Sequence, residues 1–116
     1  MKRPLAYICT ASNGEAIRTY CRTVYEAGFA PVCPSMVLPS FLNDNVPREH
    51  KDGIDISRDF LRRSHVLVVC GKTVDETMMN EIATAQRLNI TATTLDGFLT
   101  VRGQGRAAQK KGDKNV

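Results

Sequence analysis

Two acidic side chains, those of Asp75 and Glu81, follow an apolar run at residues 66–71 and are well placed for acid/base or nucleophilic chemistry. The run predicts a buried strand, so Asp75 comes near the carboxyl end of the strand and Glu81 in the helix that follows. Ligands of α/β proteins bind at this edge of a parallel sheet. Carboxylates placed there can serve as an acid, a base or a nucleophile.

The elements that must position these acids alternate between short apolar runs and longer amphipathic stretches. Strands are predicted at residues 5–9, 30–33, 65–70 and 90–95, helices at 15–27, 47–64 and 74–88, an irregular loop at 34–46 and a turn at 96–99. The alternation predicts an α/β fold, a flavodoxin/Rossmann-like three-layer sandwich with helices on both faces. We expect a four-stranded parallel sheet in the order 2-1-3-4.

Glu81 lies at the border of the apolar face of its predicted helix, about 60° around the wheel from Met78. A carboxylate held against the sheet would be partly desolvated, which raises its pKa or makes it a better nucleophile. The alternative is that Glu81 turns outward to solvent or pairs with a neighbouring residue. Tyr7 in the first strand poses a related question, because a buried phenol needs a partner. Glu81 is the candidate partner, and the alternative is a hydroxyl at the rim of the core.

Asp75 suits the N-terminus of the same helix, where an acid is stabilised by the helix dipole. A competing interpretation makes Thr73 the cap, with Glu76 completing a capping box, and leaves Asp75 as one more first-turn acid.

A turn of small residues follows the first strand and meets the start of the next helix. Its backbone N–H groups could hold a phosphate or a sugar hydroxyl. In the predicted sheet, this turn at residues 10–14 and the segment 72–76 come together at one crevice.

The charge of the chain is unevenly distributed. Of the 116 residues, 42% are hydrophobic and 24% charged, which is ordinary for a globular protein. Residues 1–101, the predicted domain, hold eleven basic and eleven acidic residues, so the net charge of +4 comes from residues 102–116. We expect that basic tail to be disordered and solubilising. It could contact polyanions, but the neutral body offers no basic face, so nucleic acid is not the expected partner.

Four cysteines are present without a CxxC pair or a histidine at metal-ligand spacing. They are predicted to be core residues in a reducing compartment, with no metal site. No apolar run reaches membrane-spanning length, and the first residues lead straight into a strand. We therefore expect a cytoplasmic protein with no membrane partner.

Two motifs carry a resemblance to a known family. One is the loop Pro39-x-Phe41-Leu42-x-Asp44, and the other is the helix pattern Asp75-x-x-Met78-x-x-Glu81-Ile82-x-x-Ala85. Together with Tyr7 in the first strand, they resemble the nucleoside 2-deoxyribosyltransferase-like superfamily, and most closely its small bacterial and phage branch. The resemblance covers about residues 4–99.

This resemblance implies chemistry at the N-glycosidic bond of a nucleoside or nucleotide, by transfer or hydrolysis and without a cofactor. Glu81 matches the nucleophile, Asp75 the acid that handles the base, and Tyr7 the phenol that orients the nucleophile. The mechanism would resemble that of retaining glycosidases. The residues expected to bind substrate are Thr10, Ser12, Asn13, Gly14, Phe41, Asp44, Thr77 and Met78.

The chain also departs from the family pattern. Thr77 occupies the position of a glycine, and Ser35 and His50 replace polar anchors that the small branch often has. These departures motivate an alternative, a nucleotide- or nucleotide-derivative-binding protein without turnover. The apolar residues within 34–46 further predict packing against a second copy of the chain, giving a dimer or higher homo-oligomer.

Overall fold

The computed structural model describes residues 2–12 and 14–101. Strands and helices alternate along the chain. The elements are β1 (Leu5–Cys9), α1 (Gly14–Glu26), β2 (Ala30–Val32), α2 (Pro34–Val37), a 3₁₀ turn (Leu38–Ser40), α3 (Pro47–Arg62), β3 (Val66–Val69), α4 (Glu76–Arg87) and β4 (Thr91–Thr94). Residues 95–101 are helical.

The four strands form one sheet in the order β2-β1-β3-β4, and every pair is parallel. Tyr7 in the middle of β1 lies opposite Val32 on one side and Leu67 on the other. The predicted α/β architecture, Rossmann-like with strand order 2-1-3-4, is therefore confirmed. The chain order reverses between β1 and β3, so the carboxyl ends of these two strands form the edge at which such sheets bind ligands.

The strands divide their side chains between two layers because successive residues point to opposite faces. Ala6 and Ile8 join the core beneath α1, together with Phe98 of the final helical segment. Tyr7 and Cys9 join the core on the other face, where Leu67, Leu61 of α3 and Met78 and Ala85 of α4 complete the cluster. Helices thus cover both faces, as the sequence predicts.

The prediction was wrong in two segments. Part of the expected loop at 34–46 is helical, since Pro34 and Pro39 each occupy the first turn of a helix, where a missing N–H costs nothing. The expected turn at 96–99 is also helical. There the Thr94 hydroxyl accepts a hydrogen bond from the backbone N–H of Gly97, at 3.0 Å, in the manner of an N-cap.

Candidate active site

A cleft of about 1050 Å³ opens on the face of the sheet that carries α3 and α4. Its lining comes from β1, from the α2 segment with its 3₁₀ turn, and from α3 and α4. Tyr7, Asp75 and Glu81, the three predicted catalytic residues, all line this cleft. The cleft brings together residues that are far apart in sequence, because β1 and β3 are neighbours and α4 packs over both.

Glu81 is half-buried and turned toward the sheet. It follows Met78 by three residues and precedes Ala85 by four, and both of those residues are fully buried against the sheet. Residues at this spacing lie on one helical face, so Glu81 is carried inward with them. The alternative in which Glu81 turns outward is wrong for this structure, because its carboxylate is bonded to β1.

The Glu81 carboxylate accepts one hydrogen bond on each oxygen. The Tyr7 hydroxyl donates to Oε2 at 2.6 Å, and the Cys9 thiol donates to Oε1 at 3.2 Å. Both donors come from the same face of β1, two residues apart. The phenol therefore has the buried partner that the sequence predicts, and the thiol is a second donor that the sequence analysis missed.

Burial raises the pKa of the Glu81 carboxyl, and the hydrogen bonds from Tyr7 and Cys9 offset part of that rise. The negative charge of Asp75 raises the pKa of Glu81 further. Burial and the nearby charge of Glu81 also raise the pKa of the Tyr7 phenol and of the Cys9 thiol. Both groups therefore keep their protons and act as donors to the carboxylate.

Asp75 is the N-cap of α4. Its Oδ1 accepts a hydrogen bond from the backbone N–H of Met78 at 2.8 Å. The competing interpretation, a capping box with Thr73 as cap, is wrong, because the helix begins at Glu76, one residue after Asp75. Capping fixes the Asp75 side chain at the N-terminal end of α4 and so places its carboxylate on the lining of the cleft.

The turn after β1 meets the start of the segment after β3, as expected from the sheet order. Gly71 has φ +91°, and a Cβ there would lie 3.0 Å from the Ser12 hydroxyl and 3.3 Å from the Tyr20 hydroxyl. The Thr10 hydroxyl accepts a hydrogen bond from the Ser12 N–H at 3.1 Å, which closes the turn locally. Gly71 and Tyr20 line a second, smaller cavity of about 410 Å³.

The residues expected to bind substrate are divided by the structure. Thr10, Asp44, Thr77 and Met78 line the large cleft. Ser12, Gly14 and Phe41 lie outside its lining, and Phe41 is 58% exposed. Asn13 lies outside the described residues, as do residues 102–116 with the predicted tail.

Several polar residues of the cleft were not predicted. The His50 Nδ1 lies 2.7 Å from Asp44 Oδ1, and Arg58 of α3 and Arg87 of α4 add positive charge to the lining. Ser57 of α3 also lines the cleft, and it partly offsets the rise in the pKa of the Tyr7 phenol. Cys9 was detectable in principle, because it shares the inner face of the strand with Tyr7. The others depend on how α3 and α4 pack over the sheet, and that arrangement leaves no trace in the local sequence pattern.

Across residues 2–12 and 14–101, no three His, Cys, Asp or Glu side chains are grouped so that they could hold a metal ion. No helix within the same ranges is long and apolar enough to cross a membrane. The four cysteines are all free.

A family model matches most of the chain. The family model of a domain of unknown function, DUF7768, matches residues 4–95. A search of curated proteins finds no match to the chain. The matched range contains the whole sheet and every residue of the cleft described above.

Proposed function

We propose that this chain, which belongs to the DUF7768 family, acts on the N-glycosidic bond of a nucleoside or nucleotide through a Glu81 nucleophile. The observation that carries the proposal is the Glu81 carboxylate, fixed by two donors at the wall of a cleft large enough for such a ligand. A carboxylate oriented in this way and partly removed from water is a better nucleophile than one in solution. The resemblance of the Asp75–Glu81 motif to the deoxyribosyltransferase pattern supplies the substrate class.

In the first step a Glu81 oxygen attacks the anomeric carbon, C1′, and forms an ester with the sugar. The bond from C1′ to the base nitrogen breaks, its electron pair leaves with the base, and the base takes a proton from Asp75, which must enter this step as the neutral acid. In the second step water or another base attacks C1′ and gives its proton to the Asp75 carboxylate. Glu81 then leaves as a carboxylate, so the enzyme is restored and the sugar configuration is retained.

Each residue of the trio has a separate task in this scheme. Tyr7 holds the nucleophile and, as its neutral phenol, stabilises the carboxylate that departs in the second step. Asp75 stands at the end of α4, on the lining of the same cleft as Glu81. The proposed chemistry uses only side chains of the protein and requires no cofactor.

The test is chromatography of the purified full chain with a panel of deoxynucleosides and their monophosphates, with and without a second free base. We expect release or exchange of the base by the wild type, and a loss of at least about a thousandfold for Glu81→Gln. Glu76→Gln is the matched control, since it removes an acid from the first turn of the same helix outside the cleft lining. Full activity of Glu81→Gln would refute the proposal.

Asp75 requires a variant that separates its two roles. Asn caps helices as well as Asp does, so Asp75→Asn keeps the bond from the Met78 N–H and removes only the acid. We expect unchanged thermal stability together with slower base release. Equal rates for Asp75→Asn and the wild type would remove Asp75 from the mechanism.

A second candidate function is binding of a nucleotide or nucleotide derivative without turnover. It is favoured by the engagement of Asp75 as a helix cap, because a charged carboxylate suits that bond better than a protonated acid. Thr77 on the cleft lining, in place of the motif glycine, adds bulk where the substrate would approach. Saturable ligand retention with no base released by wild type or Glu81→Gln would establish this alternative.

The proposal includes a homo-oligomer assembled through the segment 34–46. Met36, Val37 and Phe41 are 44%, 48% and 58% exposed, an unusual concentration of apolar surface on one short segment. Light scattering of the wild type should give a dimer or larger species, and Phe41→Ser should shift it toward monomer. Tyr25→Ser, on an exposed aromatic of α1, is the control and should leave the mass unchanged. A wild-type monomer at micromolar concentration would contradict the assembly.

The free cysteines fit a reducing compartment, which supports the cytoplasmic location in the proposal.

A further inference from the structure

The Cys9 thiol bonds to the Glu81 carboxylate from the side of the protein core. Cys9 is 1% exposed and is not part of the cleft lining, whereas Tyr7, the other donor, lines the cleft. The thiol therefore binds the carboxylate from inside the core, on the oxygen that Tyr7 does not hold. A substrate in the cleft would meet Glu81 without meeting Cys9.

The thiol proton has two acceptors within reach, and they are unequal. Glu81 Oε1 lies 3.2 Å from the sulfur, and the backbone oxygen of Met78 lies 3.9 Å away. The carboxylate is both closer and charged, so it is the preferred acceptor. The cysteine proton thus completes the set of bonds that fixes the plane of the carboxylate.

We propose that Cys9 is a positioning residue for Glu81, a role that rests on the function proposed above. A thiol is a weak donor compared with a hydroxyl. It can fix the second oxygen without stabilising the charged carboxylate as strongly as a hydroxyl would. A nucleophile gains from this balance, because a strongly stabilised carboxylate is a poorer attacking group.

The expectation from sequence alone is different, namely that Cys9 is a small apolar core residue. On that view, changes at Cys9 alter the stability of the fold and leave the titration of Glu81 where it was. On the positioning view, Ala and Ser at this position move the pKa of Glu81 in opposite directions. Ala removes a donor to the charged form and raises the pKa of Glu81, whereas Ser supplies a stronger donor and lowers it.

Other titratable groups act on Glu81 or share the cleft with it, and they stay the same in both variants. They are Tyr7 on β1, Cys33 before α2, Asp75 at the start of α4, Asp44 before α3, Glu49, His50 and Arg58 on α3, and Arg87 at the end of α4. Because none of them changes between Cys9→Ala and Cys9→Ser, opposite shifts in the two variants report on the thiol itself.

The experiment is an NMR titration of the full chain labelled with ¹³C at the glutamate carboxyl carbons, without substrate. The Glu81 signal is assigned by its disappearance in Glu81→Gln. We expect the pKa of Glu81 to be highest in Cys9→Ala, intermediate in the wild type and lowest in Cys9→Ser. Cys70→Ala is the matched control, since Cys70 is a fully buried cysteine on the opposite face of the sheet. It should leave the pKa of Glu81 unchanged.

Kinetics supply the second readout. In Cys9→Ala we expect kcat to fall by about tenfold or more with KM little changed, and the acidic limb of the pH–rate profile to move to higher pH. Cys9→Ser should recover part of the rate and move the limb to lower pH. Should Cys9→Ser fail to fold, the rise of the Glu81 pKa in Cys9→Ala decides alone.

Equal pKa values for Glu81 in the wild type and Cys9→Ala would overturn the positioning role, whatever the panel of nucleosides shows. The expected order of pKa values with no base release would leave the contact established and refute only the proposed reaction. The two failures are therefore distinguishable.

Discussion

The two faces of the sheet are built from the same strands, yet one face makes apolar contacts and the other holds a polar cluster. Beneath α1, the side chains of β1 and β3 are Ala6, Ile8, Val66 and Val68, and the layer is closed and apolar. Beneath α4, β1 instead presents Tyr7 and Cys9, which reach a half-buried carboxylate. The same face opens into the cleft between α3 and α4.

The difference follows from alternation in a single five-residue strand. Ala6 and Ile8 are apolar and point to one face, whereas Tyr7 and Cys9, which alternate with them, carry an O–H and an S–H. One layer can therefore stabilise the fold while the other holds polar groups away from water. The cleft face contributes less to packing, and we infer that the closed face must carry more of the stability.

The largest expected effect is a loss of unfolding free energy, and replacing one isoleucine by alanine on each face tests the division. Ile8→Ala removes a fully buried side chain from the closed layer and should cost about 2–5 kcal/mol of unfolding free energy. Ile54→Ala, at a residue 43% exposed on the cleft side of α3, should cost well under half as much. Urea denaturation of both variants measures the contrast, and equal losses would contradict it.

A second contrast concerns the room left for one added methyl group. Gly71 needs a positive φ and its Cβ would press on Ser12 and Tyr20, so Gly71→Ala should destabilise the fold by about 1–2 kcal/mol. In Gly53→Ala the Cβ would meet Leu38 and Leu42 of the cleft wall at 3.7 and 3.6 Å, ordinary contact distances. This helical position should gain about 0.5–1 kcal/mol. Melting temperatures that move in the same direction would refute the contrast.

Sequence patterns predicted the layers better than they predicted the contacts between layers. The bounds of β1 and the strand order follow from local periodicity and the rules of parallel sheets. The pairing of Tyr7 with Glu81 was one of two open interpretations, and the structure decides between them. The bond from the Cys9 thiol to Glu81 was not predicted. The sequence places Cys9 on the same strand face as Tyr7, but it does not show whether the thiol proton has an acceptor. The cap of α4 was left open, because Asp75 suits the helix N-terminus while Thr73 and Glu76 fit a capping box, and the structure assigns it to Asp75.

The unfolding free energy should also depend on pH through the buried Glu81 carboxyl on the cleft face. The pKa of Glu81 is raised above its ordinary value of 4.5 in the folded chain, so the folded state binds its proton more tightly than the unfolded state. As pH rises from about that ordinary value through the raised folded pKa, the unfolding free energy falls. Glu81→Gln carries no such charge. The unfolding free energy of this variant minus that of the wild type should therefore be smallest in acid and increase as pH rises across this window.

Denaturation of wild type and Glu81→Gln at a series of pH values measures this difference. Glu76→Gln removes an acid from the exposed first turn of α4, so the comparison of the two variants isolates the effect of burial. A stability gap for Glu81→Gln that stays constant with pH, or grows toward acid, would contradict a raised pKa.

The smallest expected effect lies at the rim of the cleft, where polar contacts are exposed. The pair formed by His50 and Asp44 is short, at 2.7 Å, yet its side chains are 55% and 86% exposed. Exposed pairs of this kind contribute about 0–1 kcal/mol, because water screens them and two side chains must be ordered. His50→Ala should therefore change the unfolding free energy by less than Gly71→Ala. Asp44 is also predicted to bind substrate, so Asp44→Ala should differ from His50→Ala by reducing ligand retention. A large loss of stability in His50→Ala would show that the rim, like the closed face, supports the fold, and the contrast between the two faces would then be weaker than the strands imply.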